Sequence, residues 1–297
     1  MKLLSKEVSE KLQSKLKLKK AETFGDKPVY IAIIFLEDYS SNVYVNHKKK
    51  YGEKIISTIV FGQTSFDNSD SSNFRNLDLF INQEYNDVHQ VIELVQYLNY
   101  DPNCVGIIVQ LPLPEKFQKS KNMILSTISP AKDIDMVDVG LSSIDLIDFL
   151  PATPKAVLYL LDQYNLNLDK AISILQSNLV GKPLALECIK KATVFSFNEN
   201  SDINHIKEIT KKSDYIFTCT KVHLIDSLFI RDDNSQIIVD IGYGHIDGKP
   251  VGDVNFDDIQ DKVAYITPVP VPLTVACLFD NIFTLQEHKE ILKKYKL

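Results

Sequence analysis

Short runs of β-branched and apolar residues recur along the chain. Between them lie longer stretches in which apolar positions return every three or four residues. The runs at 29–36, 105–110, 171–175, 193–197, 215–220 and 237–241 read as strands, because a few such residues bounded by polar or turn-forming ones suit a buried pleat. Strands that alternate with helix-length segments build parallel sheets through crossover helices. The last four runs are each separated by one helix-length segment, which predicts a doubly wound unit of nucleotide-binding type, and the first half has an alternation of its own. Pro151, Thr153 and Pro154 precede an apolar-periodic stretch at 156–164, the pattern of a proline-started helix. Pro268, Pro270 and Pro272 lead into a second amphipathic helix over 273–285. Two helical bridges predict an α/β fold of two domains with a cleft between. The expected domains are 1–150, completed by a C-terminal helix at 271–297, and 151–270. The stretch 65–76, rich in Asp, Ser and Asn, reads as a mobile loop.

Composition narrows the function classes. At 297 residues, 44% hydrophobic and 24% charged, the chain is neither disordered nor fibrous, and it is long enough for two domains. Its net charge of −6 comes from 33 basic and 39 acidic residues in mixed order, which suggests no patch for nucleic acid. No apolar run approaches the ~20 residues of a membrane span, and the Lys-rich amino terminus lacks the apolar core of a secretory signal. A cytoplasmic protein is expected. Cys104, Cys188, Cys219 and Cys277 are widely spaced, so neither a disulfide nor a structural metal is expected. Glycine is scarce, at 10 residues about half of the ~7% average usage, and Arg75 and Arg231 are the only arginines. That bias is read either as the base composition of an AT-rich genome or as selection, and the sequence leaves the two open.

Three places carry candidate chemistry. After Asp38, Ser40 and Ser41, which are good capping residues, the run 42–51 puts Tyr44 and Lys48 four apart on one helical face. Spacing alone reads this first as a solvated lysine cluster, since Lys48, Lys49 and Lys50 are contiguous, with a Tyr-Lys acid/base couple as the alternative. The strand at 105–110 ends in Gln110 and is stopped by Leu111, Pro112, Leu113 and Pro114. A polar side chain at the carboxyl end of a buried parallel strand faces the usual ligand crevice, though a simple strand-terminating amide fits equally well. Asp133 and Asp135 flank Ile134, so an alternating backbone would present both carboxylates on one face of a loop.

Taken together, these pieces carry a resemblance. Leu98-Asn99-Tyr100-Asp101-Pro102 running into Gly106-Ile107-Ile108-Val109-Gln110-Leu111-Pro112-Leu113-Pro114 closely resembles methylenetetrahydrofolate dehydrogenase/cyclohydrolase, the bifunctional folate enzyme family. Similar motifs extend over nearly the whole chain: Lys132-Asp133-Ile134-Asp135, Pro151-Ala152-Thr153-Pro154, Val180-Gly181-Lys182-Pro183, Ala192-Thr193-Val194, Val251-Gly252-Asp253-Val254 and Thr267-Pro268-Val269-Pro270. The resemblance implies a folate-binding α/β domain beside a Rossmann-like dinucleotide domain. It also implies tetrahydrofolate one-carbon derivatives as substrates, a homodimer, and a place in one-carbon metabolism serving purine biosynthesis. By the same resemblance the family's Tyr-x-x-x-Lys motif falls on Tyr44 and Lys48, with Lys48 as the acid/base group. Its glutamine falls on Gln110, expected to hydrogen-bond Lys48, and its pterin-anchoring aspartate falls on Asp135, where a carboxylate accepts two hydrogen bonds from the aminopyrimidine edge.

The cofactor side departs from the family pattern. The family's Gly-Arg-Ser reads Leu175-Gln176-Ser177, its His-Ser pair reads Asn198-Glu199, and the glycine after the third strand of the domain, beyond Thr220, is Lys221. Gly-Ile-Asn reads Gly242-Tyr243-Gly244, the Gly-Gly-Val-Gly-Pro loop shrinks to Val271-Pro272, and Met136 stands where the family has glycine. Glycines at such places let backbone approach a ligand or take positive φ, so their loss weakens the dinucleotide site. Leu175, Gln176, Ser177, Glu199, Thr220 and Tyr243 are the cofactor-site positions. NADP or NAD is expected there, with NAD favoured because Glu199, about twenty residues beyond Ser177, suits a ribose 2′-hydroxyl and repels a 2′-phosphate. Two alternatives stay open on the sequence: a cyclohydrolase that has lost dehydrogenation, and a non-enzymatic folate-binding or interaction protein.

Overall fold

A computed structural model describes residues 1–36, 42–62, 66–81, 83–136, 149–175, 180–220, 224–242, 244–246, 249–267 and 271–289. The chain divides into two compact units, one of residues 1–10 and 153–274 and the other of residues 11–152 and 275–297. The divisions fall inside the helices Ser5–Phe24, Ala152–Gln163 and Val271–Glu287, the last two being the helices expected from the proline clusters. The first was not expected. Its reason is a long-range pairing: residues 1–3 extend the edge of a sheet, with Lys2 bridged in parallel to Ile266 and Leu3 N–H donating to Ile266 O at 2.9 Å.

The unit of residues 11–152 and 275–297 is built on strands β1 (Tyr30–Phe35), β2 (Ser57–Gly62) and β3 (Cys104–Val109), parallel and in the order β2-β1-β3. Every residue of β1 and β3 is buried, which explains why both read as continuous apolar runs without alternation. The strand β2 was not among those expected, although its Thr-Ile-Val-Phe core is β-branched and apolar. The helix Val88–Tyr100 opens on a capping box, in which the Asp87 carboxylate accepts from His89 N–H and Gln90 Oε1 accepts from Asp87 N–H. Within 65–76 the structure places the 3-10 turn Ser69–Asn73 rather than an unstructured loop. Asn68 ties this segment to the edge of β2, its amide pairing with both Val60 N–H and Val60 O as a further strand would.

The other unit carries β4 (Ile172–Leu175), β5 (Val194–Phe197), β6 (Tyr215–Thr218), β7 (Ile237–Asp240), the small antiparallel pair β8 (Gly244–Ile246) and β9 (Lys249–Val251), and β10 (Tyr265–Thr267). The main sheet is parallel with order β10-β7-β6-β4-β5. Counted along this unit, the order is that of a doubly wound nucleotide-binding fold, and it reverses between β4 and β6. Ligands of such folds lie beyond the carboxyl ends of the strands at that reversal, which here means beyond Leu175 and Thr218. Among the described residues no helix is long and apolar enough to cross a membrane. The four cysteines are buried free thiols, and burial pushes Cys104 and Cys188 up to about 12.

Candidate functional site

Lys48, Lys49 and Lys50 leave their helix, Asn42–Gly52, about 100° apart, so they cannot share an environment. The inner face of the helix buries Val45, Lys49 and Gly52, and there the Lys49 ammonium donates to Thr58 O at 2.9 Å and pairs with Glu53 at 2.8 Å. Lys50 is exposed. Lys48, 14% exposed, lies 2 helical steps short of it and meets the Asp135 carboxylate at 3.5 Å. Tyr44, one turn earlier on the same side, is half-buried. The lysine run is therefore not a uniformly solvated cluster. Asp38, Ser40 and Ser41 lie outside the described residues.

Asp135 is delivered by a segment laid against β3. Ile107 N–H donates to Lys132 O at 2.7 Å, and Ile107 and Asp133 form a parallel bridge. Gly106 permits this approach, since a Cβ there would come within 2.9 Å of the Ile134 side chain. Upstream, the Lys132 ammonium donates to Leu98 O and Asp101 O at 2.7 Å each, and burial lowers its pKa. The two loop carboxylates do not share an environment: Asp133 is fully buried, whereas the side chain of Asp135 is 27% exposed. The following Met136 takes a φ of 51°, the left-handed conformation that explains glycine at this place in the family pattern. Methionine holds it at a cost of about 1–2 kcal/mol, offset by burying its side chain.

Gln110 sits just past β3, its N–H donating to Ile34 O at 2.9 Å. Its side chain does not bond Lys48, contrary to expectation. The amide Nε2 donates to Leu111 O at 2.6 Å, while Oε1 is buried with no donor among the described residues. The ammonium's partner is instead a carboxylate, the stronger acceptor. A buried acceptor without a donor costs about 1–3 kcal/mol, so this oxygen is suited to taking a hydrogen bond from a ligand or from a moving ammonium.

In the nucleotide-type unit, Leu175 ends β4 and is buried, and Thr220 N–H donates to the Asp253 carboxylate at 2.6 Å. Glu199 is exposed in the turn after β5, where Asn200 N–H donates to Asn198 Oδ1 at 2.9 Å. These positions flank the carboxyl ends of adjacent strands, a placement that suits a dinucleotide. Gln176, Ser177 and Tyr243 lie outside the described residues.

Beneath Thr220 is a feature that sequence reasoning met only as a motif. Asp240 accepts from Asp253 N–H at 3.0 Å, Val254 N–H at 3.2 Å and the Thr218 hydroxyl at 3.3 Å. Gly252 faces it because a Cβ would collide with the carboxylate. Burial first, and the Asp253 charge second among the raising effects, push Asp240 up to about 6 from 3.8. The folded chain thus holds a proton that the unfolded chain has released, so this group's contribution favours folding at low pH and is lost as pH rises from about 4 to about 6. Unfolding midpoints of the parent minus those of Asp240→Asn are expected to fall across that window and to be level above it. A level difference throughout would show that Asp240 is ionised at its ordinary pKa.

Among the described residues no group of His, Cys, Asp and Glu side chains is arranged to hold a metal ion. A family model described as the catalytic domain of tetrahydrofolate dehydrogenase/cyclohydrolase matches residues 1–135, and one described as the NAD(P)-binding domain matches residues 151–290. A bifunctional protein FolD from Thermodesulfovibrio yellowstonii is 33% identical over 281 residues, covering 91% of this chain and 90% of its own. The crystal structure of a bifunctional methylenetetrahydrofolate dehydrogenase/cyclohydrolase from Campylobacter jejuni has a TM-score of 0.80 at 30% identity, covering 97% of this chain and 99% of the other. A Trypanosoma brucei enzyme of the same name, complexed with NADP and an inhibitor, has a TM-score of 0.76 at 25% identity, covering 96% and 95%.

Proposed function

Because the chain belongs to the tetrahydrofolate dehydrogenase/cyclohydrolase family, we propose that it oxidises 5,10-methylenetetrahydrofolate to the methenyl form and hydrolyses that to 10-formyltetrahydrofolate. The observation that carries this reading is the Lys48–Asp135 pair at 3.5 Å, an ammonium and a carboxylate set together on a helix and a loop of the matched catalytic region. Leu175, Glu199 and Thr220, at the carboxyl ends of adjacent strands, would hold NAD(P), which would supply the acceptor for the hydride that the methylene carbon gives up in becoming the methenyl cation. Lys48 first gives up a proton to solvent, and its amine then takes one from the water that adds to the methenyl carbon. The ammonium so formed returns a proton to N5 while the C–N5 bond breaks, the remaining hydroxyl proton leaves to solvent, and the formyl group stays on N10. Asp135 accepts from the aminopyrimidine edge of the pterin, and Gln110 Oε1 accepts from substrate or from Lys48 as it moves.

Measuring methenyl hydrolysis and nicotinamide reduction separately on one purified sample tests the reading. Activity in both assays supports it, hydrolysis alone revives the cyclohydrolase-only alternative, and neither would favour a binding protein. Family membership favours neither alternative.

The cofactor is NAD rather than NADP on the strength of Glu199, whose carboxylate suits a ribose 2′-hydroxyl and opposes a phosphate. Glu199→Gln is expected to raise kcat/KM for NADP several-fold, on the order of 1 kcal/mol of relieved repulsion at an exposed site, while hydrolysis stays unchanged. Preference of the parent enzyme for NADP in steady-state reduction would overturn the assignment. The same reading extends to a homodimer acting in the cytoplasm, with a formyl product of use to purine biosynthesis. Light scattering on the purified chain tests the first of these.

A further inference from the structure

The helix Val271–Glu287 turns an apolar face inward, with Leu278, Phe279, Ile282 and Phe283 buried. In the middle of that face stands Asn281, equally buried. Asparagine is a poor residue for a helix interior, and a buried amide is costly unless its polar atoms are partnered. Local preference and burial both oppose this residue. Its Nδ2 donates to Ile134 O and to Leu150 O, each at 3.0 Å.

The first of those carbonyls immediately precedes Asp135. On one side, the main chain of 132–134 is fixed to β3 by the bonds at Ile107 and by the Ile134 side chain on Gly106. On the other, Asn281 holds the Ile134 peptide from the C-terminal helix. A main chain gripped from two sides one residue before Asp135 leaves its carboxylate little freedom to leave Lys48. Binding groups need support of this kind, since a small displacement of a polar group loses much of its interaction. We propose that Asn281 is a positioning residue for folate binding, whose amide sets the Ile134–Asp135 peptide so that the carboxylate meets both Lys48 and the pterin. The proposal rests on the reading of Asp135 as the pterin anchor.

The test is a double-mutant cycle on the full-length enzyme, with Asn281→Leu and Asp135→Ala singly and together. Leucine keeps the volume and removes the donor without adding a charge. The readouts are KM and kcat for methenyl hydrolysis, and calorimetric affinity for folic acid. Asn281→Leu alone is expected to raise KM roughly tenfold, about the worth of one hydrogen bond, with kcat little changed. In the Asp135→Ala background the same substitution is expected to add almost nothing, because the carboxylate it positions is gone.

An unchanged KM in Asn281→Leu overturns the proposal, as does an equal and additive loss in both backgrounds, the mark of a general structural role. If Asn281→Leu does not fold, Asn281→Ala, which removes the donor and adds neither bulk nor charge, takes its place. Failure of both to fold assigns Asn281 to the fold alone and also overturns the proposal. Should Asp135→Ala by itself leave folic acid affinity unchanged, the reading of Asp135 fails, and that result is seen without touching Asn281.

Discussion

Replacing Lys48 with methionine is expected to lower methenyl hydrolysis by about 10²- to 10⁴-fold, the usual range for removing a general acid/base. The argument rests on where the ammonium is held. Lys48 is mostly buried beside Asp135 while its neighbours serve other ends, Lys49 within the core and Lys50 in solvent, so neither neighbour replaces it. Methionine preserves the aliphatic stem that packs along the helix, and the partly exposed pair contributes at most about 1 kcal/mol to stability. The variant should therefore fold. Hydride transfer needs no proton to be moved in the transfer itself, so oxidation of the methylene substrate falls less than hydrolysis does. The two activities measured side by side, with circular dichroism as a control, check this. Hydrolysis near the parental rate in Lys48→Met would return Lys48 to the status of a surface cation.

Asp135→Ala is expected to weaken folate affinity by about 10- to 100-fold, since a hydrogen bond to a charged group contributes about 1.5–3 kcal/mol. Two donors lose their acceptor at once: the pterin edge, and the Lys48 ammonium now 3.5 Å from the carboxylate. Calorimetric titration with folic acid reads the first. The second should appear as a lower kcat for hydrolysis beyond the change in KM. Asp133 cannot take over, because it is fully buried and its main chain is bridged to β3. An unchanged dissociation constant would remove Asp135 from the binding site.

Much of this molecule was legible in its sequence, for a local reason. A strand buried on both faces favours apolar residues along its length, so β1 and β3 announce themselves as short unbroken runs, and β4, β6 and β7 as apolar runs holding one polar residue each, Ser173, Thr218 and Asp240. The helices at Ala152–Gln163 and Val271–Glu287 follow from prolines that tolerate a first turn. Strand β2 was the failure among the longer strands. Its three apolar residues, Ile59, Val60 and Phe61, are parted from another apolar pair, Ile55 and Ile56, only by Ser57 and Thr58, so hydrophobicity alone does not fix where the strand begins, and pairing with β1 decides it. The edge strand β10 is shorter still, at three residues, and its order comes from β7 on one side and residues 1–3 on the other.

The candidate site divides in the same way. Residue types and motifs placed Tyr44, Lys48, Gln110 and Asp135 as a set, because a family resemblance is read one position at a time. What each of them touches was not legible. Helical phase separates Lys48 from Lys49 and Lys50 but does not say which of the three faces a carboxylate. That depends on a partner 87 residues away. Gln110 was expected against Lys48, and instead bonds its own neighbour Leu111, because the stronger acceptor took the ammonium. Asn281 looked like a flaw in an apolar helix until Ile134 O and Leu150 O were brought to it. The sequence by itself determined most of the elements, the unit order and the candidates for the reactive groups, since these depend on propensity, periodicity and residue chemistry. Which groups meet was decided by the tertiary structure alone, since contact between distant positions is fixed by how buried faces pack and not by any local preference.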